Sequence, residues 1–291
     1  MAYQWYPGHM TKSIRMMQEN IKLIDLVIEL ADARIPLASR NPELKNLANG
    51  KAHALILNKA DLADEAVSRE WAAFYEEQMI PALFVDAREN KAIKALRPQL
   101  MEACREKIER NLRRGINRPI RAMVVGIPNV GKSTFINSFV GRATAKTGNK
   151  PGVTKGKQWI RLSKDLELLD TPGVLWPKIE EDAIGENLAL IGSIRDEIMD
   201  PAELALILIN RLTALYPGVL REKYSLAGET RGEEALIDEA LPGHVILNRI
   251  ALNRKCLKTG AEPDIEKAAK LLLHDFRSGA MGRLTLERPS R

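Results

Sequence analysis

Directly after the apolar run Ala122–Val125, residues 126–133 read Gly-Ile-Pro-Asn-Val-Gly-Lys-Ser, a GxxxxGK[ST] spacing that leads into a second apolar-periodic stretch. No other feature of the chain constrains its fold as tightly. Small residues at these offsets let consecutive backbone N–H groups curl around an anion at a helix N-terminus, and the lysine neutralises the anion's charge. The spacing therefore predicts a strand, a phosphate-binding loop and a helix over 132–140. Asn129, Val130, Gly131, Lys132, Ser133 and Thr134 line the bound phosphates; Lys132 reaches the β and γ oxygens in a binding and catalytic role, and Ser133 ligates Mg2+.

Three further segments acquire meaning from that loop. About forty residues downstream, Asp170-Thr171-Pro172-Gly173 follows the leucine-rich run 166–169. Asp170 there would hold magnesium through water, and the Gly173 N–H would face a γ-phosphate. Between the two, Pro151-Gly152-Val153-Thr154 places Thr154 where it would complete the metal shell only around a triphosphate. Segments ordered by a γ-phosphate and released by its loss are switches. Upstream, Asn58-Lys59-Ala60-Asp61 follows the run Ala54–Leu57. The Asp61 carboxylate suits guanine N1–H and N2–H, a donor pair that adenine lacks; the Lys59 stem can cover the base, and Asn58 can bridge base edge and loop. Together with the phosphate loop, this points to GTP and GDP rather than ATP. A phosphate-loop kinase for a small metabolite would have no use for both NKAD and DTPG.

Short β-branched or leucine-rich runs at 26–30, 54–57, 82–85, 122–125, 158–162 and 166–169 alternate with helical patterns at 64–79 and 132–140, which predicts a mostly parallel α/β sheet. Beyond Pro177 the periodicity is helical throughout: 184–194, 201–216 with Asp200 as cap and Pro201 at the first position, 233–240, 243–258 and 264–277. The expected division is 1–177, a nucleotide domain with an amino-terminal extension, and 178–291, an all-helical RNA- or ribosome-binding domain. GRLTLE at 282–287 reads as either a short strand or a tail.

The motifs stand in an unusual order, base specificity first, then phosphate loop, then switches. WYPGHM at 5–10, DARIPLASRNP at 32–42, NKAD, GIPNVGKST and DTPGV together resemble the ribosome biogenesis GTPase A family, and the resemblance spans nearly the whole chain. It implies an α/β, Ras-like P-loop GTPase fold, circularly permuted, followed by a small all-α domain. It also implies a GTPase that binds the large ribosomal subunit and its rRNA in the GTP state, promotes late maturation and leaves after hydrolysis. One element departs from the pattern: the loop contacting the guanine oxygen reads Asp86-Ala87-Arg88 rather than a Ser-Ala-Lys type, although backbone contact at Asp86 and Ala87 survives such a change. Where many GTPases carry a water-orienting glutamine after DxxG, this chain has Val174. The resemblance points instead to His9 as the catalytic, water-positioning residue, the alternative being an exposed or RNA-contacting histidine. Asn129 either helps bind K+ beside the phosphates or only stabilises its loop.

The net charge of +6 conceals segregation. Residues 101–160 carry 13 basic and 3 acidic side chains, 161–240 carry 8 and 17, and the remainder from 241 carry 10 and 5. Basic segments flanking an acidic one suit a polyanion such as rRNA, or are simply solvated faces. In the second domain His244, Arg249, Arg254, Lys255 and Lys258 share a region with Val245, Ile246, Ile250 and Leu257 facing the core. No apolar run approaches the ~18–20 residues that cross a bilayer, and the amino terminus lacks a signal-peptide core. Two cysteines fit a reducing cytoplasm. The expectation is a cytoplasmic monomer with no membrane association. An RNA-binding switch whose hydrolysis is incidental is the competing reading.

Overall fold

The computed structural model describes residues 8–48, 50–141, 158–176, 179, 181–194, 199–226 and 241–290. All seven residues of β1 (Leu26–Asp32) are buried, as expected of a strand covered on both faces of a parallel sheet. It follows α1 (Gly8–Asn20) and is followed by α2 (Pro42–Leu47), β2 (Ala52–Asn58), α3 (Glu65–Glu77) and β3 (Ala82–Val85). Three short helices, α4 (Asn90–Ala95), α5 (Arg97–Glu102) and α6 (Arg105–Arg113), lead to β4 (Ile120–Gly126) and α7 (Lys132–Val140). β5 (Gln158–Arg161) and β6 (Leu166–Asp170) complete a six-stranded sheet of order β3-β2-β1-β4-β6-β5. Every neighbouring pair is parallel except β5 with β6.

All six predicted strands form, and the helix after the phosphate loop has the bounds expected of it. Register does the rest: Asp32 lies opposite Asn58, Leu30 opposite Gly126, Asn58 opposite Val85 and Val124 opposite Asp170. The carboxyl ends of β1, β2, β3, β4 and β6 therefore share one edge, the position where open α/β sheets bind ligands. Val67, Trp71 and Tyr75 of α3 close one part of the core over Ala31, Leu55 and Leu57. Trp71 and Tyr75 stack at 5.6 Å.

The chain divides into a first unit, Met1–Asp182 with Glu287–Arg291, and a second, Ala183–Leu286. The division falls beyond residue 177, and the last five residues belong to the first unit. The helix α8 (Asp182–Leu190) starts at the boundary residue and is followed in the second unit by α9 (Pro201–Leu215), α10 (Val219–Tyr224), α11 (Gly243–Asn253) and α12 (Ile265–Ser278). The α9 start is as expected: Asp200 accepts from Ala202 N at 2.6 Å and Glu203 N at 3.3 Å, with Pro201 in the first turn. Leu208, Ile250 and Leu272 are among the buried residues of α9, α11 and α12. The stretch expected to continue helically through 258 ends at Asn253, because Lys255 takes a left-handed φ of 53°. Leu257 is exposed rather than buried. The helix expected at 233–240 lies outside the described residues. GRLTLE is neither strand nor free tail: Leu284, Thr285 and Leu286 are buried, and the Thr285 N–H donates to the Tyr216 hydroxyl at 2.9 Å.

The loop leaving β1 is pinned at nearly every residue. Asp32, fully buried, receives Arg34 Nε at 2.9 Å and Nη2 at 2.8 Å, and Lys59 Nζ at 2.9 Å. Ser39 Oγ donates to Ile35 O at 2.6 Å, and the Tyr75 hydroxyl donates to Pro36 O at 3.0 Å. Arg40 pairs with the buried Glu29 at 2.9 Å. From the far end of the sequence, the Glu287 carboxylate accepts from Leu37 N at 2.7 Å and Ala38 N at 3.1 Å. Burial alone would raise the Asp32 carboxyl, but Arg34 and Lys59 overcome it and hold the group well below the usual carboxylate range.

Asp32→Asn leaves two cations without their carboxylate and should lower stability at neutral pH by about 3–5 kcal/mol in urea unfolding. Because the native pKa lies below the unfolded value of about 3.9, the wild-type advantage is complete above that pH and is lost as pH falls from there through the native pKa. A loss under about 1 kcal/mol, the range of an exposed pair, or one independent of pH in acid, would contradict this account.

Candidate nucleotide site

The phosphate loop is shaped by close approach. At Gly131, where φ is +98°, a Cβ would stand 2.3 Å from Asn58 Nδ2. A Cβ on Gly173 would come within 2.7 Å of Pro128 Cα and 2.8 Å of Lys132 Nζ. Glycine is therefore the residue that lets DTPG lie against the loop. Lys132 is buried, and its ammonium donates to Ile127 O at 2.7 Å and Gly126 O at 3.2 Å. Burial pulls its pKa down to about 8, opposed by the negative charge of Asp170. Such a lysine is poised for an anion, because a phosphate supplies the countercharge that loop carbonyls offer only as dipoles. Val130 is buried, whereas Asn129, Ser133 and Thr134 are half-buried. Asn129 takes a left-handed φ of 58°.

The DTPG segment stays on the sheet edge through its own polar groups. Thr171 Oγ1 donates to Val124 O at 2.6 Å, and the Val174 N–H donates to Gly126 O at 3.1 Å. That bond to the phosphate-loop strand is matched on the other side of the residue, where Val174 O accepts from Asn41 Nδ2 at 3.1 Å. The Val174 side chain is fully buried and apolar, so it orients no water. Asp170 is buried at the end of β6. The Ser133 hydroxyl on the first turn of α7 and the Asp170 carboxylate are hard oxygen donors of the kind magnesium takes. Thr154 lies outside the described residues, as does the side chain of His9, whose backbone falls in the first turn of α1.

Asn58, 2% exposed, lies where three loops meet. Its Nδ2 donates to Val130 O of the phosphate loop at 2.7 Å, and its Oδ1 accepts from Ala87 N at 2.9 Å. One amide thus ties together NKAD, the phosphate loop and the Asp86-Ala87-Arg88 turn. Ala87 O in turn accepts from Ser138 Oγ of α7 at 2.5 Å. Lys59 takes a left-handed φ of 61° and is fixed by Asp32; burial lowers its pKa despite that partner. Asp61 Oδ2 accepts from Arg88 Nη2 at 2.5 Å, while Asp61 Oδ1 is buried and accepts no hydrogen bond among the described residues. A buried acceptor of this kind suits a ligand N–H.

Of the sequence-predicted residues, Asn58, Lys59, Asp61, Asp86, Ala87, Asn129, Val130, Gly131, Lys132, Ser133, Thr134, Asp170 and Gly173 all fall at or just beyond the carboxyl edge of the sheet. The motifs by themselves assign no role to Asp32, Arg34, Asn41 or Arg88. The signal for the first two is a charged pair at the end of a fully buried strand, a costly arrangement unless the charges are mutually compensated.

Comparison with known proteins agrees with this geometry. The family model described as 50S ribosome-binding GTPase matches residues 121–238, beginning at the phosphate-loop strand. The chain is 42% identical to Ribosome biogenesis GTPase A of Priestia megaterium, over 100% of this chain and 98% of that protein. It is 35% identical to Mitochondrial ribosome-associated GTPase 1 of Mus musculus, over 98% of this chain and 90% of that protein. Among solved structures, GNP-bound YlqF from T. maritima superposes with a TM-score of 0.63 at 26% identity, covering 96% of this chain and 99% of that one. Its GDP-bound counterpart gives 0.62 at 25% identity, covering 94% and 98%. With the strand that leads into Asn58-Lys59-Ala60-Asp61 preceding the phosphate-loop strand in one circularly permuted, Ras-like sheet, the chain belongs to the ribosome biogenesis GTPase A family of GTP-hydrolysing enzymes.

Proposed function

We propose that the protein binds the large ribosomal subunit and its rRNA in the GTP state, promotes late maturation and is released on hydrolysis. The observation that carries this reading is the placement of Gly173 and Val174. Gly173 packs against Pro128 and Lys132, Val174 bonds to Gly126 O, and the same stretch of chain continues through Trp176 into the second unit. A change at the γ-phosphate edge is thereby delivered to a segment covalently joined to the helical unit. That unit presents His244, Lys255 and Lys258 to solvent, cations suited to RNA phosphates. The names of the similar proteins supply the ribosomal context.

Within this reading Asn58, Lys59 and Asp61 hold guanine, Asp86 and Ala87 present backbone to it, and residues 129–134 with Gly173 hold the phosphates. Ser133, Asp170 and Thr154 would hold magnesium, which supplies charge neutralisation at the β and γ oxygens when bound. Lys132 contributes positive charge to the same oxygens. His9 positions the attacking water, a task that the buried Val174 side chain does not perform. Asn129 assists a K+ ion beside the phosphates. We place the protein in the cytoplasm as a monomer; among the described residues no helix is long and apolar enough to cross a membrane.

Sedimentation with purified large subunits tests the cycle. Cosedimentation should be strong with a non-hydrolysable GTP analogue and weak with GDP, and Lys255→Glu combined with Lys258→Glu should reduce it. Arg254 is unsuitable for that substitution, because its Nη2 donates to Lys223 O at 2.6 Å and its guanidinium lies over Tyr224. Nucleotide-independent cosedimentation would contradict the reading. For the chemistry, His9→Ala should lower subunit-stimulated turnover with GTP affinity nearly intact, and hydrolysis should be faster in K+ than in Na+ at equal ionic strength. Unchanged turnover in His9→Ala removes that role, and equal rates in the two salts dismiss the cation.

A further inference from the structure

The turn after β3 contains a cluster that the nucleotide motifs do not require. Arg88 Nε lies 2.9 Å from Asp86 Oδ1 and 3.1 Å from Oδ2, and its Nη2 lies 2.8 Å from Asp86 Oδ2. The Arg88 backbone N–H also donates to Asp86 Oδ1 at 2.9 Å. The same Nη2 reaches across to Asp61 Oδ2. One guanidinium therefore joins two carboxylates from turns that follow different strands. Asp61 Oδ1 remains a buried acceptor with no hydrogen bond among the described residues.

We propose that Arg88 is a positioning residue for guanine selectivity: it ties Asp61 to Asp86 so that the Asp61 side chain is held in one orientation, with Oδ1 presented to the base edge. This rests on the reading of Asp61 as the guanine acceptor. Two neighbouring carboxylates repel one another, and a short aspartate side chain left to itself samples several rotamers. A planar, permanently charged fork relieves the repulsion and fixes the geometry, which an ammonium does less well. Hydrogen bonding by Arg88, opposed by partial burial, holds the Asp86 carboxyl below the usual range. The Arg88 side chain is 67% exposed, so its removal takes nothing from the core. The departure of Asp86-Ala87-Arg88 from a Ser-Ala-Lys pattern then has a purpose: the acidic first residue anchors the basic third one, which in turn orients Asp61.

The test is equilibrium binding of GDP and IDP to the full chain. IDP lacks the 2-amino group and so offers Asp61 one donor instead of two. Arg88→Ala should weaken GDP by about three- to tenfold, the cost of ordering a side chain on binding. IDP should weaken less, so that the GDP-to-IDP preference narrows, and Arg88→Lys should restore part of it. In an Asp61→Asn background, adding Arg88→Ala should change neither affinity. Equal weakening of GDP and IDP, unchanged affinities, or tighter GDP binding would each overturn the proposal. If Asp61→Asn alone leaves GDP affinity unaltered, it is the assignment of Asp61 to guanine that fails.

Discussion

The Asn58 side chain is the interaction on which the rest of the nucleotide site depends. Its amide spends a donor on Val130 O and an acceptor on Ala87 N, both in a buried setting. Neither group has water to fall back on, so losing the amide would leave a buried carbonyl and a buried N–H unsatisfied at once. Gly131 is part of the same constraint, since any side chain there would occupy the space of Asn58 Nδ2. Three loops far apart in sequence are held to one another by a single residue at the end of β2.

This explains why the order of motifs along the chain is immaterial to the chemistry. Parallel strands deliver their carboxyl ends to one edge whatever their sequence, and the register here aligns Asp32, Asn58, Gly126 and Asp170 along it. Permutation changes what lies between the loops. NKAD precedes the phosphate loop in sequence, and the chain leaves the last motif, DTPGV, for the helical unit. The return of Glu287 to Leu37 and Ala38 adds a second covalent passage between units, at residues 286 and 287.

Much of this is legible in the sequence, for identifiable reasons. Strands such as Ala122–Val125 stand out because wholly apolar runs bounded by glycine have few alternatives, and Asp200-Pro201 marks a helix start by local hydrogen bonding alone. Roles that depend on long-range partners are not legible. Arg88 acquires its link to Asp61 only across 27 residues, and Asn41 its role only from Val174, 133 residues away. The end of α11 falls earlier than the periodicity predicts, because Arg254–Lys258 continue a helical pattern of polarity while Lys255 adopts a left-handed backbone. GRLTLE alternates like a strand, yet Thr285 is held by Tyr216 and not by a neighbouring strand.

The most direct test of the central claim is the affinity of Asn58→Ala for GDP, measured by titration calorimetry on protein whose circular dichroism shows it folded. Two orphaned buried groups at about 1–3 kcal/mol each predict a loss of tenfold or more. Wild-type affinity in a folded Asn58→Ala protein would contradict the claim that this amide assembles the site.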